Sequence, residues 1–238
     1  MRMSPSLSRR LVAELFGTAA LLTVVVGSGI QAADLSQDVG VRLLANSLAS
    51  AIGLGLLIVL FGPLSGGHLN PVVTLADWWS RRGREGAPGV REVALYLAAQ
   101  LAGAVAGALL AEAMFGRTPG TWSTQMRSDT HLLLGETVAT AGLVLLIQGL
   151  RHIGRASATP VAVAGYIAAA IWFTSSGSFA NPAATVGRAF SDSFTGIAPG
   201  SLPGFIAAQL LGALLGVGLA ALLYGAGEPA GPVLRRTR

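Results

Sequence analysis

Six long apolar stretches alternate with short polar segments along the chain. They lie at about residues 10–30, 40–61, 91–114, 132–150, 159–175 and 203–224. Each approaches the roughly 20 apolar residues that a helix needs to cross a bilayer. The pattern predicts an all-α membrane protein with six transmembrane helices.

Two further stretches, shorter and only moderately apolar, begin with Asn70-Pro71-Val72 and Asn181-Pro182-Ala183. Asn is a favoured N-cap, and Pro is favoured in the first helical turn because its missing N–H is not needed there. A helix of about 10 residues is roughly 15 Å long, which is half of a hydrocarbon core of roughly 30 Å. We expect two re-entrant half-helices whose positive N-terminal ends meet near mid-membrane.

The two halves of the chain carry the same markers in the same order. Glu14 precedes Thr18 by four residues, as Glu136 precedes Thr140, and each half then has its Asn-Pro pair. An Ala-Ala-Gln-Leu-x-Gly-Ala segment follows at 98–104 and again at 207–213. These markers predict one domain over residues 1–238, with repeat 1 at about 9–115 and repeat 2 at about 130–225. Three spans per repeat invert the second repeat relative to the first, giving an inverted 3+3 repeat.

Composition excludes several function classes. Only 11% of the residues are charged, against about a quarter in soluble domains, so most of the outer surface must face the lipid bilayer. There is no cysteine, and the three histidines are too scattered to predict a metal site. We expect no cofactor and no metal. No nucleophile–base pair or phosphate-binding loop is present, so we expect no enzyme.

All sixteen basic residues are arginines, and they lie singly or in short clusters between the spans. This distribution indicates membrane topology and no nucleic-acid binding. With six spans, both termini lie on one side. That side carries twelve arginines, at positions 2, 9, 10, 81, 82, 84, 91, 151, 155, 235, 236 and 238. The opposite side carries four, Arg42, Arg117, Arg127 and Arg188. The positive-inside rule predicts cytoplasmic termini.

These motifs resemble the aquaporin (major intrinsic protein) family over about residues 9–225. The likeness lies in the segments 13–18 (Ala-Glu-Leu-Phe-Gly-Thr) and 65–71 (Ser-Gly-Gly-His-Leu-Asn-Pro), in the paired Ala-Gln segments and in Asn181-Pro182-Ala183. The resemblance implies a passive pore in each subunit of a homotetramer. Asn70 and Asn181 would form its central constriction and donate hydrogen bonds to passing solutes.

The resemblance also implies a role for the intramembrane carboxylates. Glu14 and Glu136 would act as structural braces that accept hydrogen bonds from the backbone of the re-entrant loops. Buried carboxylates in a membrane are costly and often functional. A proton-coupled secondary transporter that uses Glu14, Glu136 or Glu112 is therefore the less favoured alternative.

The sequence departs from the family pattern at two places. Val72 replaces the Ala of the first Asn-Pro-Ala motif, and Ala184 stands where the family usually has the Arg of the outer constriction. Family spacing places Ser50, Ala169 and Ser178 beside Ala184 in that constriction. Because this set is small throughout, we expect a wide constriction without a fixed charge, which would discriminate poorly by size.

Arg188 lies four residues beyond Ala184, on the same helix face. We expect it to attract or orient solutes in the outer vestibule from a more exposed place. The alternative is an ion pair with Asp192.

The segment 181–199 resembles a bacterial aquaporin subgroup that lacks the filter arginine and includes members encoded beside arsenic-resistance genes. The overall prediction is a bacterial inner-membrane channel for small neutral solutes: glycerol-like polyols, neutral metalloids such as trivalent arsenic species, and water. The alternative within this class is an ordinary water or glycerol channel.

Overall fold

The computed structural model of the chain describes residues 5–84 and 86–225, and this part contains eight α-helices and no strand. They are α1 Leu7–Leu35, α2 Val39–Ser65, α3 Pro71–Arg81, α4 Val90–Met114, α5 Thr130–His152, α6 Thr159–Phe173, α7 Pro182–Arg188 and α8 Leu202–Tyr224. All except α3 and α7 are long and apolar enough to cross a membrane, α6 and α8 when taken with the single 3-10 turns that precede them. The predicted all-α fold with six spans and two short helices is confirmed.

The helix contacts repeat between the halves. In the first half α1 packs against α2 and α4, and in the second half α5 packs against α6 and α8. The short helix α3 contacts α4 of its own half and α8 of the other, while α7 contacts α8 of its own half and α4 of the other. Each half-helix is therefore held by both halves, as an inverted repeat requires.

Glycines allow the closest helix pairs to form. A Cβ atom on Gly212 of α8 would lie 2.5 Å from the carbonyl oxygen of Thr137 on α5, and one on Gly216 would lie 2.6 Å from that of Ala141. A Cβ atom on Gly103 or Gly107, the corresponding glycines of α4, would lie closer still to a backbone carbonyl oxygen of α1. Small residues at such positions let membrane helices approach until their backbones touch.

The bundle has two ends, which we call the terminal face and the loop face. The terminal face holds the start of α1 at Leu7 and the end of α8 at Tyr224, and the loop face holds the connections 115–129 and 189–198. Large apolar side chains remain exposed around the long helices, with Phe16 at 60% and Leu214 at 64%, as lipid contact requires. Four arginines that entered the topology prediction, Arg2, Arg235, Arg236 and Arg238, lie outside the described residues.

Candidate functional site

The two half-helices meet head to head through their capping asparagines. Asn70 caps α3, with its Oδ1 accepting from the Val72 amide at 3.0 Å. Asn181 caps α7, with its Oδ1 accepting from the Ala183 amide at 3.0 Å. Each side-chain amide also donates across the junction: Asn70 Nδ2 to the Ala180 carbonyl and Asn181 Nδ2 to the carbonyl of residue 69, both at 2.8 Å. The two asparagines therefore fasten the two repeats to each other.

The residue before each asparagine has a left-handed backbone. Leu69 has φ 50° and Ala180 has φ 45°, a region that costs a residue with a Cβ roughly 1–2 kcal/mol. This conformation turns the carbonyl of each residue toward the opposite asparagine and its N–H toward a buried carboxylate. Such strain persists where the surrounding bonds fix the backbone.

The two carboxylates are Glu14 and Glu136, both fully buried. Glu14 accepts from the backbone amides of His68 and Leu69, at 3.0 and 2.7 Å. Glu136 accepts from those of Phe179 and Ala180, at 2.8 and 2.9 Å. A glutamine adds a bond in each half, Gln100 to Glu14 and Gln209 to Glu136, both at 2.7 Å. The amide bonds join each re-entrant loop to its carboxylate, and the glutamine bonds join each carboxylate to α4 or α8.

A cavity of about 820 Å³ runs past the junction between the repeats. Asn70 and Asn181 line its middle, Arg151 its terminal-face end and Thr195 its loop-face end. Apolar side chains of α5 and α6 form part of the wall, namely Leu143, Ile147, Val163, Ile167 and Ile171. The other motif residues are buried beside the channel: Pro71, Val72, Pro182 and Ala183 do not line it.

Three of the four residues assigned to the outer constriction line the cavity: Ser50, Ser178 and Ala184. The hydroxyls of Ser50 and Ser178 are buried, and neither has a hydrogen-bond partner within residues 5–84 and 86–225. Because a buried hydroxyl without a partner is costly, these two groups are available to a solute or to water in the channel.

The placement of Ala169 in the constriction is wrong in this structure. Ala169 is exposed on the outer side of α6, while Ile167 and Ile171 face the cavity. Two residues along a helix correspond to a rotation of about 200°. Family spacing counted through the loop after α6 therefore selects the opposite face of the helix.

Arg188 also lies elsewhere than predicted. Its side chain is only 9% exposed, it lines the cavity, and its guanidinium carbon lies 3.3 Å from the centre of the Phe179 ring. Its Nε donates to the Thr195 carbonyl, because the segment 189–196 folds back beside α7. Asp192 accepts instead from the amide and hydroxyl of Thr124. The predicted exposed position was therefore wrong, and so was the alternative of an ion pair with Asp192.

Sequence reasoning missed Arg127, which also lines the cavity. It lies in the 115–129 connection, whose arginines entered the prediction only as topology signals. Its Nε donates to the Gly196 carbonyl at 2.9 Å. Burial lowers the pKa of Arg127, an effect opposed by the nearby Glu136 carboxylate. No periodic pattern in a loop could have indicated that this side chain turns inward.

Glu112 has a place that the sequence left open. It is 3% exposed near the end of α4 and accepts a hydrogen bond from the Ser191 hydroxyl. The Ser191 hydroxyl is also hydrogen-bonded to the Ser193 hydroxyl at 2.8 Å, and the Ser193 hydroxyl to the Thr195 hydroxyl at 3.2 Å. Glu112 does not line the cavity, and this chain of hydroxyls connects it to the segment that holds Arg188.

The family model for the major intrinsic protein family matches residues 1–156. The chain belongs to this family. Major intrinsic proteins are membrane channels and not enzymes, in agreement with the prediction. Across 232 residues the chain is 44% identical to the aquaglyceroporin AqpS of Rhizobium meliloti (strain 1021), covering 97% of this chain and 95% of that protein. It is 31% identical to the aquaporin AqpM of Methanothermobacter marburgensis, covering 92% and 97%.

A solved structure of another member of the major intrinsic protein family has the same fold. The X-ray structure of the aquaglyceroporin from Plasmodium falciparum superposes with a TM-score of 0.71, covering 92% of this chain and 96% of that one. At 19% sequence identity, this likeness concerns the fold alone.

Proposed function

We propose that this chain is a passive channel for small uncharged solutes: glycerol-like polyols, neutral trivalent arsenic species and water. The observation that carries the proposal is the cavity of about 820 Å³ with Asn70 and Asn181 at its middle. The similarity to a relative named as an aquaglyceroporin supports the polyol part. The metalloid part depends on the resemblance of residues 181–199 to the subgroup without the filter arginine.

The asparagines would select for neutral hydrogen-bonding solutes. An Asn side chain has two N–H groups, and in each asparagine one of them is already bonded across the junction. The other remains for the oxygen of a solute beside it. The half-helix ends add about half a positive charge each. Together these groups oppose cations, including hydronium, and admit neutral molecules.

The loop-face end of the channel would set the size limit. Ser50, Ser178 and Ala184 contribute small side chains, and the two serine hydroxyls are unpartnered within the described part of the chain. Arg188 lies in the same wall and would orient solutes there. This wall favours a pore that admits solutes larger than water over a pore restricted to water.

A proton-coupled transporter is less well supported. Glu14 and Glu136 are absent from the cavity wall, and their oxygens accept bonds from the loops. They would act as braces. We further propose that the channel lies in a bacterial inner membrane, with its terminal face in the cytoplasm, and assembles as a homotetramer.

Replacing Ala184 tests the wide constriction. We expect Ala184→Arg to reduce glycerol and trihydroxy arsenic flux strongly while water flux persists, measured by stopped-flow swelling and by arsenic uptake in proteoliposomes. Ala184→Leu is the control for bulk without charge. Unchanged glycerol flux in Ala184→Arg would contradict the proposed constriction. Flux that follows an imposed pH gradient would favour the transporter instead.

A further inference from the structure

Two arginines share one aromatic ring at the loop-face end of the channel. The guanidinium carbons of Arg127 and Arg188 lie 5.2 and 3.3 Å from the centre of the Phe179 ring. All three residues line the cavity. Two positive charges are therefore close neighbours in a partly desolvated space, where their repulsion is larger than in water.

Neither arginine has a carboxylate partner within residues 5–84 and 86–225. The ion pairs there involve other arginines, namely Arg10, Arg81, Arg117 and Arg151. Arg127 donates only to neutral acceptors, at 2.9 Å to the Gly196 carbonyl and at 3.3 and 3.4 Å to Gln125 and the Ser176 carbonyl. Arg188 uses only its Nε, so both of its terminal nitrogens remain for a group in the cavity.

The carboxylates of this region are already bonded to other donors. Glu136 accepts from two backbone amides and Gln209. Glu112 accepts from Ser191, and Asp192 accepts from Thr124. The guanidinium groups stay charged at neutral pH. The loop-face end of the cavity thus holds two guanidinium charges, neither of which has a direct ion pair within the described residues.

We infer that Arg127 and Arg188 form a binding site for a small monovalent oxyanion, a carboxylate or sulfonate, at the loop-face end of the channel. Guanidinium groups bind such anions through short, charge-assisted and often paired hydrogen bonds. The anion would relieve the repulsion between the two arginines, and the unpartnered Ser178 hydroxyl in the same wall offers a further donor. The inference rests on the proposed function only in that the anion would occupy the entrance used by neutral solutes.

Methanesulfonate is a suitable probe because it stays ionised and does not cross the bilayer as a neutral acid. We expect it to bind the purified full-length chain in isothermal titration calorimetry and to slow glycerol-driven swelling of proteoliposomes. Dimethyl sulfone, a neutral molecule of similar shape, should do neither. Arg127→Gln should weaken methanesulfonate binding about tenfold, the usual scale for losing one charged hydrogen bond.

Two variants separate the site from general effects on folding or charge. Arg117→Gln removes an arginine of the same connection that pairs with Asp34 at 3.4 Å and does not line the cavity, so methanesulfonate binding should persist. Arg127→Lys keeps the charge and should retain more binding than Arg127→Gln.

Equal binding of dimethyl sulfone, or equal loss of binding in the Arg127→Gln and Arg117→Gln variants, would overturn the anion site. So would a wild-type chain that conducts glycerol and does not bind methanesulfonate, although the proposed channel would then stand. A wild-type chain that binds methanesulfonate but conducts no glycerol would contradict the proposed function and leave the anion site intact.

Discussion

Replacing Glu136 by Gln separates a structural brace from a proton carrier. The Glu136 carboxylate accepts from the amides of Phe179 and Ala180 and from Gln209, at 2.7–2.9 Å. Each hydrogen bond to a charged group contributes about 1.5–3 kcal/mol. In Glu136→Gln one oxygen becomes an NH₂ donor that must face another donor, in a site with 0% exposure. We expect a loss of about 3–5 kcal/mol, the usual scale for breaking a buried charged network.

The assay is the fraction of protein that stays monodisperse in detergent after heating, followed by glycerol flux of the folded fraction. The control is Glu92→Gln, which breaks the partly exposed ion pair with Arg10 and should cost at most about 1 kcal/mol. An equal loss of monodisperse protein on heating in Glu136→Gln and Glu92→Gln would refute the bracing role of Glu136. A stable Glu136→Gln variant that loses only a pH-gradient-driven flux would show that the carboxylate carries protons.

Two further predictions concern packing and the loop-face network. Gly107→Ala should destabilise the protein in the same heating assay, because the added methyl would overlap the Ala19 backbone of α1. The control Gly218→Ala, whose added methyl would meet no neighbouring atom within 4 Å, should be neutral or slightly stabilising. A similar result for both variants would contradict the close α1–α4 contact. Glu112→Gln should lower stability by about 1–3 kcal/mol, because it weakens the hydrogen bond from Ser191. It should also reduce glycerol flux by displacing the 189–196 segment. Full flux at unchanged stability would show that Glu112 has no such role.

The spans were predictable because each follows from a run of apolar residues. The predicted 91–114 corresponds to α4 at Val90–Met114, and the predicted 203–224 to α8 at Leu202–Tyr224. The first span was underestimated, since α1 runs from Leu7 to Leu35. Polar residues at its ends continue the helix beyond the apolar run, and hydropathy does not report such extensions.

The convergence of Asn70 and Asn181 was also predictable, since N-cap chemistry and the repeat both specify it. The loop-face end was not. The position of Arg188 depends on the Thr195 carbonyl, which reaches it through a fold of the 189–196 segment that has no sequence periodicity. Arg127 enters the channel for the same kind of reason, through a loop hydrogen bond to Gly196. The error at Ala169 came from counting residues across a loop to assign a helix face.

The crossed bonds of the two asparagines bear on how the protein is made. The carbonyl of Leu69 receives its donor from a residue 112 positions later in the chain. While the ribosome is still synthesising the second repeat, the first re-entrant loop has no partner for that carbonyl. Its left-handed backbone then lacks one of its supporting hydrogen bonds. The first half therefore stays structurally incomplete in the membrane, and the channel can close around its axis only after the final third of the polypeptide has been synthesised.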